Sequence, residues 1–415
     1  MDRSIADLTK ELKQSKFRFG SIYEFSDSLY SSFELNHIFR VFFSTIMGQL
    51  GITKLFFFDL KNNVFRKRGF RIDEQEKELV NDEFKNIKEI FFVKTVNDIE
   101  EESIALKEIL DKKKIYYIID LSLSKKREIY LGLGKRFNRI ELTKEEIEYA
   151  FFLSKFTITA LDNSFMVEKI IESKQVEREM NIAKDIQLSL LPQALPLLKN
   201  FEISVIYRPL NEVGGDYYDM LNTHENKTSV LVADVEGKGL SAALLGASSQ
   251  AVFHSMNEFC TDKPSKFIEK ANTLIHDLTK GKRFITLFWM IVDDDNKSVK
   301  YVNAGHIEPL LISNNKTIKL SKGGFLTGFI SNSKYEEGVI ELKSNDVIAI
   351  FTDGAPEVES PDEEEYGIER LTAFLKKNYK LSASKITEKF QKEIDEFSKG
   401  TPYRDDFTFL ILKVK

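Results

Sequence analysis

The second half of the chain repeats one arrangement, in which an aspartate lies at the start or end of an apolar run and close to glycine. The aspartates concerned are Asp216, Asp234, Asp353, Asp405 and Asp406. Asp234 directly follows the apolar run Ser229–Ala233, and Asp353 follows the run that begins at Val347. Apolar runs of this length are typical of buried strands, so we expect the strand ends to bring these carboxylates to one edge of a sheet.

Several carboxylates at one edge repel one another, and they stay ionised together only when a cation compensates them. Oxygen ligands without histidine or cysteine favour Mg²⁺ or Mn²⁺ over Zn²⁺. Two such ions about 3.5–4 Å apart can share a bridging water, lower its pKa and direct it at phosphorus. Each motif alone is a weak signal, because an Asp-Gly pair after a strand is more often a turn than a metal ligand.

The single cysteine, Cys260, excludes an internal disulfide and a thiolate zinc site, and it agrees with a reducing cytoplasm. We expect it in a helical segment with no phosphate-cradling loop after it, which argues against a cysteine-based phosphatase. The net charge of −5 predicts no general affinity for nucleic acid. No apolar run approaches the ~18 residues of a membrane span. The sequence therefore predicts a cytoplasmic protein without a membrane segment.

The elements that must position the aspartates follow from about residue 195 onward. Apolar runs predict strands at Phe201–Tyr207, Ser229–Ala233, Thr286–Val292, Val299–Val302, Val347–Phe351 and Phe407–Val414. Helical spacing predicts helices at Ser241–Phe259, Pro264–Thr279 and Ile368–Asn378.

The first part of the chain has a mixed pattern. Apolar residues at helical spacing predict a helix over Leu35–Leu50, and a hairpin follows, with one strand at Lys54–Leu60 and the return strand from Val64. A helix near residues 98–113 and a strand at Ile115–Ile119 complete a small α+β domain.

A mostly helical segment is predicted from about residue 144, with Thr143 as its N-cap and Glu146 as the capping-box partner. Its apolar stretch Tyr149–Leu161 is expected to be buried or to face a partner. Val176, Ala183 and Leu190 recur every seven residues, and Pro192 ends the run. This stripe suits either a parallel dimer seam or a helix packed on its own domains.

Six segments of the third part, in this order, resemble the metal-dependent protein phosphatases (PPM, or protein phosphatase 2C-like). The branch is the bacterial one that includes stage II sporulation protein E and the sigma-factor regulator phosphatases. The segments are Ile182–Pro192, Val213–Asp219, Ala233–Leu244, Tyr301–Leu310, Phe351–Gly354 and Asp405–Thr408.

The resemblance implies an α-β-β-α sandwich with two Mn²⁺ or Mg²⁺ ions at one edge, and a phosphoserine or phosphothreonine substrate on an anti-sigma-factor antagonist. It implies that Asp234 bridges the metals and that Asp406 has a less certain role. The remaining implied ligands are Asp216, Asp353, Asp405 and the carbonyl of Val235.

The identity of the proton donor stays open. Eukaryotic relatives carry a histidine near the first acidic motif, where this chain has Tyr217 and Tyr218. His306 lies in a segment that the family places on a tight turn between strands. A structural role there is a stronger expectation than contact with substrate.

Residues of about 20–160 resemble a GAF domain, which implies a sensor of a small molecule or a protein. Bilin attachment is excluded because Cys260 lies outside this region, and His37 is expected to be a helix-face histidine rather than a haem ligand. The resulting domain prediction is an α/β protein with a GAF-like domain at 20–160, a helical linker at 161–191 and a phosphatase domain at 195–415.

The leading hypothesis is a sensor-regulated phosphatase that forms a homodimer. One rival is a non-catalytic regulator that keeps the fold and only binds a phosphoprotein. A third hypothesis is a structural metal-binding module, which only the carboxylates support.

Overall fold

The computed structural model describes residues 20–86, 92–99, 103–122, 128–222, 227–257 and 263–415. The chain divides into two compact units, Met1–Lys174 and Gln175–Lys415. Cys260 lies outside the described residues, so its predicted helical setting stays a prediction. Among the described helices, none is both long enough and apolar enough to cross a membrane.

The first unit is built on a five-stranded antiparallel sheet with the order β2-β1-β5-β4-β3. Its strands are β1 (Leu55–Asp59), β2 (Val64–Arg68), β3 (Val93–Thr95), β4 (Ile115–Asp120) and β5 (Ile129–Gly134). Its helices are α1 (described over residues 20–29), α2 (Leu35–Leu50), α3 (Glu74–Asn86), α4 (Ile104–Lys113) and the first part of α5 (Lys144–Leu190).

Strand β1 is buried along its whole length because helices cover both faces of this sheet. Phe57 packs in one cluster with residues of α2 and α5. Phe56 and Phe58 point the other way, into a cluster with Val80 of α3 and Leu106 of α4. Side chains alternate along a strand, so a strand covered on both faces needs an unbroken apolar run.

Helix α5 changes character along its 47 residues. Its early apolar stretch is buried against the first unit's core, through Ala150, Leu153 and Leu161. Burial, one of the two settings expected for Tyr149–Leu161, is therefore observed for much of this stretch, whereas Phe152 is 57% exposed. Val176, in the predicted seven-residue stripe, is 55% exposed.

The second unit contains two packed sheets. One has the order β13-β10-β9-β8-β7, with β14 also paired to β10, and the other has the order β12-β11-β15-β16-β6. The first sheet comprises β7 (Asp216–Asn222), β8 (Lys227–Val235), β9 (Ile285–Asp293), β10 (Ser298–Ala304), β13 (Gly323–Gly324) and β14 (Gly338–Glu341). The second comprises β6 (Phe201–Arg208), β11 (Leu310–Ser313), β12 (Lys316–Lys319), β15 (Val347–Phe351) and β16 (Phe407–Val414).

Helices cover the outer face of each sheet, which produces four layers. Helices α6 (Leu240–Asn257) and α7 (Pro264–Thr279) share a core with the first sheet, and α8 (Gly367–Asn378) and α9 (Ala383–Ser398) share one with the second. On β9, Trp289 faces the helices, whereas Phe288 and Met290 lie in the core between the sheets. The second unit is therefore an α-β-β-α sandwich.

The structure also corrects element bounds predicted from the sequence. The helix predicted near 98–113 begins only at Ile104, and a short 3₁₀ helix occupies Val96–Asp98. Helices α1, α3 and α9 and strands β3, β5, β7 and β11 to β14 were not predicted. Strand β7 lacks the apolar run that predicts a strand, because the polar residues Asp216, Asp219 and Asn222 interrupt it.

Candidate functional site

Two of the predicted ligands lie side by side on neighbouring strands. The antiparallel register of β7 and β8 pairs Asp216 directly with Asp234. Asp216 is only 2% exposed, and its Oδ2 accepts hydrogen bonds from Thr352 Oγ1 (2.7 Å) and Thr408 Oγ1 (2.6 Å). Thr408 lies on β16 of the opposite sheet, and Thr352 directly follows β15 of that sheet, so Asp216 links the two sheets at this edge. Burial raises the pKa of Asp216 well above its usual value, and the hydrogen bonds from the threonines partly oppose this shift.

Asp234 lies among other acids that come from the ends of different strands. Burial and the charges of Asp353, Asp405 and Asp406 together raise its pKa to about 7, and the charge of Lys238 partly opposes this shift. Burial and the charge of Asp405 also raise the pKa of Asp353. Such mutual repulsion shows that the carboxylates predicted to converge do lie within electrostatic reach of one another.

Two glycines allow the backbone segments of this edge to approach closely. A Cβ atom on Gly215 would lie 3.0 Å from the carbonyl oxygen of Val235, and one on Gly354 would lie 1.9 Å from that of Asp406. Residues with a side chain at these positions would separate the segments that carry the acids. The glycines beside the aspartates are thus a requirement of close packing at this edge.

The adjacent residues Asp405 and Asp406 have different surroundings. Asp406 is buried, and its two carboxylate oxygens accept backbone N–H bonds from Leu210 (2.6 Å) and Gly215. Asp405 is partly exposed, and its Oδ2 lies 2.7 Å from Lys238 Nζ. Asp406, which lies just before β16, therefore binds the loop between β6 and β7, whereas the carboxylate of Asp405 lies at the surface of the site.

Three residues at this edge were not predicted to have a role. Lys238 lies within a segment that the sequence analysis used only as a landmark. Glu236 has a buried Oε2 for which no hydrogen-bond partner exists in the described part of the chain. Gln187, in the last turn of α5, donates to the carbonyl of Gly214 (2.7 Å) and accepts from its N–H (3.0 Å). Contacts of this kind depend on distant segments, so spacing in the sequence does not reveal them.

The candidate proton donors are turned away from solvent. His306 is 6% exposed, its Nδ1 lies 3.0 Å from Thr286 Oγ1, and burial lowers its pKa to about 4. Tyr217 is buried, its hydroxyl donates to Asp219, and burial raises its pKa. His306 thus has the structural setting expected of it. His37, in the first unit, contacts the Ser28 carbonyl at 2.9 Å, as expected for a helix-face histidine.

The donor set of the edge fits a hard divalent cation. The acids supply only oxygen atoms, and their mutual repulsion favours a bound cation. In the conformation described, no group of three or more acidic, histidine or cysteine side chains among the described residues has an arrangement that holds a metal ion. A bound cation would therefore have to draw in side chains such as that of Asp405.

Comparisons with known proteins agree with this fold. Residues 224–415 match the family model described as Stage II sporulation protein E (SpoIIE). The chain is similar to Protein IcfG of Synechocystis sp., with 27% identity over 260 residues, 56% of this chain and 41% of IcfG. It is also similar to Phosphoserine phosphatase RsbU of Bacillus subtilis, with 26% identity over 251 residues, 58% of this chain and 72% of RsbU.

Among solved structures, the SiaA-PP2C domain of Pseudomonas aeruginosa has a TM-score of 0.54 and 18% sequence identity. The match covers 59% of this chain and 99% of that domain. The match with IcfG spans less than half of that relative's length. The fold of the second unit is therefore similar to that of a PP2C domain, and its residues 224–415 match the SpoIIE family model.

Proposed function

We propose that the chain is a metal-dependent protein phosphatase that hydrolyses phosphoserine or phosphothreonine. The observation that carries this proposal is the convergence of Asp234, Asp353 and Asp405 at one edge of the sandwich, where burial and the neighbouring charges raise the pKa values of Asp234 and Asp353. The alternative, a non-catalytic phosphoprotein-binding regulator, requires no such collection of repelling acids.

Each residue of the proposed site has a distinct part in positioning. Thr352 and Thr408 orient Asp216, and Asp234 lies opposite it on β8, where it would help to hold the cations. The carbonyl of Val235 and the carboxylates of Asp353 and Asp405 complete the proposed ligands. When bound, two Mn²⁺ or Mg²⁺ ions supply a water of lowered pKa as the nucleophile towards phosphorus.

We propose a phosphorylated anti-sigma-factor antagonist as the substrate, acted on in the cytoplasm. This proposal rests on the SpoIIE match and on the similarity to RsbU, which is named a phosphoserine phosphatase. Incubation of the purified chain with phosphorylated antagonist proteins from its own genome tests it. Rapid phosphate release from one of them supports the proposal, and release no faster than from unrelated phosphoproteins contradicts it.

The metal requirement is the direct test of the activity. Phosphate release from a phosphoserine peptide is expected with Mn²⁺ or Mg²⁺ and is expected to stop with EDTA. An enzyme that is active only with Zn²⁺ after Mn²⁺ and Mg²⁺ are removed would contradict an all-oxygen site. Tight phosphopeptide binding without any metal-dependent release would instead favour the non-catalytic regulator.

For regulation, we propose that the first unit is a GAF-like sensor of a small molecule or protein and that α5 transmits its state in a homodimer. Gln187 in α5 holds Gly214, two residues before Asp216, so a change in this helix would move the acidic edge. The exposed Val176 leaves part of the seven-residue stripe available for a second copy.

Charged substitutions at Val176 and Ala183 test this arrangement. Light scattering is expected to show a dimer for the natural sequence and a monomer for the double variant, with turnover no longer dependent on the first unit. A monomeric natural protein with the same turnover as the variant would remove the support for coupling through this helix.

A further inference from the structure

The side chain of Lys238 is held at the acidic edge by two contacts. Its Nζ lies 2.7 Å from Asp405 Oδ2 and donates to the carbonyl oxygen of Arg404 at 2.7 Å. Neither contact is expected from neighbouring positions in the sequence, because more than 160 residues separate the partners. The ammonium group therefore pairs with one of the two carboxylate oxygens of Asp405, which is a proposed metal ligand.

The charge of Lys238 acts on the other acids of this edge as well. It lowers the pKa values of Asp234, Asp353 and Glu357, in opposition to burial and to the neighbouring carboxylates, which raise them. Lys238 is thus the basic side chain that offsets the repulsion within the acidic group. By contrast, Lys266 forms an ion pair with Glu269, three residues further along the same helix, at 3.0 Å.

The turn that carries Lys238 leaves its side chain half-exposed. Gly237 and Gly239 flank it with φ angles of +98° and +70°, which side-chain-bearing residues rarely adopt. The lysine side chain is 52% exposed, so it can leave Asp405 without breaking core packing. A long side chain that is half-exposed can give up its place beside Asp405 to another cation at low cost.

We infer that Lys238 is a tethered counter-ion that competes with a divalent metal ion for Asp405 and thereby sets the metal affinity of the site. The inference rests on the proposed metal site. A metal ion that takes Asp405 must break the ion pair and then remain close to the displaced positive charge. Both effects weaken binding, and both disappear when the charge at this position is removed.

Mn²⁺ titration of the full chain by calorimetry tests the inference without reference to catalysis. Lys238→Gln is expected to bind Mn²⁺ about tenfold more tightly than the natural sequence, since a unit charge near a divalent ion is removed. Lys238→Arg keeps the charge and is expected to bind as the natural sequence does. Lys266→Gln also removes one partner of a surface ion pair, and it is expected to leave Mn²⁺ affinity unchanged.

Ionic strength provides a second readout that a purely structural lysine would not affect. The advantage of Lys238→Gln is expected to shrink between about 0.01 M and about 1 M salt, because the Debye length falls from about 30 Å to about 3 Å. Without metal, the same variant is expected to unfold at a lower temperature than the natural sequence, because the acids lose their compensating charge.

The outcomes separate this inference from the proposed function. Equal Mn²⁺ affinity of Lys238→Gln and the natural sequence would overturn the competition and leave the metal site intact. Weaker affinity in Lys238→Gln would also overturn it, and would make the lysine a support of the site. A natural protein that binds no Mn²⁺ at all would overturn both the inference and the proposed function.

Discussion

Both units place aspartates at the ends of buried strands, yet the two sets have different surroundings. In the first unit, Asp59 at the end of β1 accepts hydrogen bonds from Asn62 N (3.2 Å) and Nδ2 (2.8 Å). Asp120 at the end of β4 accepts one from Ser122 N at 2.8 Å. In the second unit, burial and the charges of neighbouring acids raise the pKa values of Asp234 and Asp353.

The difference shows what distinguishes a turn aspartate from a candidate metal ligand. Asp59 and Asp120 contact residues two or three positions further along the chain, which is the local pattern of turns. Asp234 instead interacts electrostatically with Asp353, which follows β15, and with Asp405, which precedes β16. Convergence of several strand ends, rather than the Asp-turn pattern itself, produces an acidic group that requires a cation.

The largest effect predicted from this comparison is a pH dependence of stability in EDTA. The folded pKa of Asp234, about 7, lies above its ordinary value of 3.8, so the folded state keeps a proton that the unfolded state releases. The free energy of unfolding should therefore fall as pH rises through this range, by up to about 4 kcal/mol. Urea denaturation followed by the fluorescence of Trp289, the only tryptophan, reports on this unit.

Saturating Mn²⁺ and Asp234→Asn are the controls for that experiment. Mn²⁺ should stabilise the protein most where the carboxylates are ionised, and the substitution should flatten the fall in stability. A protein that gains stability with rising pH in EDTA would show that these acids do not repel one another in the folded state.

The second prediction concerns turnover. Asp234→Asn should lower metal-dependent phosphate release by about a hundredfold or more, because metal-held charge contributes several kcal/mol to the transition state. The variant should fold, since it removes a repelling charge. Near-natural turnover with Mn²⁺ would show that Asp234 is not a metal ligand.

The third prediction separates two neighbouring residues. Asp406→Asn places an amide group where two backbone N–H donors point, and it should lower the free energy of unfolding by about 2 kcal/mol. Asp405→Asn should leave stability in EDTA within about 0.5 kcal/mol of the natural sequence and weaken Mn²⁺ binding. Trp289 fluorescence and calorimetry measure the two quantities. Equal loss of stability in both variants would contradict the distinction.

The smallest effect is expected at the turn aspartate of the first unit. Asp59→Ala removes hydrogen bonds to Asn62 and should destabilise the first unit by about 1 kcal/mol. Circular dichroism should detect this change, whereas metal-dependent turnover under conditions that keep the protein folded should not change. Loss of Mn²⁺ binding in this variant would show that the two classes of aspartate are not independent.

Much of the second unit was predictable because its core strands are apolar runs. The predicted strands Val347–Phe351 and Phe407–Val414 agree with the observed ones, and so does the helix Pro264–Thr279. Strand β7 and helix α9 were not predicted. Helix α9 presents Ile386, Phe390 and Ile394 at helical spacing, but charged residues between them hide this stripe in a short window.

The predicted site residues were found from the order of motifs and from the family resemblance, whereas their partners were not. Thr352 and Thr408 orient Asp216 across the sandwich, and Gln187 and Lys238 come from a helix end and a loop. Periodicity in the sequence reports which face of an element is buried. It carries no information about which distant polar group meets another.

The sequence alone determined the apolar runs that become strands, the glycines that permit close approach and the aspartates that precede or follow the strands. These are local properties, since each depends on residue type and near neighbours. Only the tertiary structure decided that Asp405 pairs with Lys238 while Asp406 binds backbone N–H groups. Adjacent residues with the same side chain differ there because burial and partners are set by segments that meet only in the folded chain.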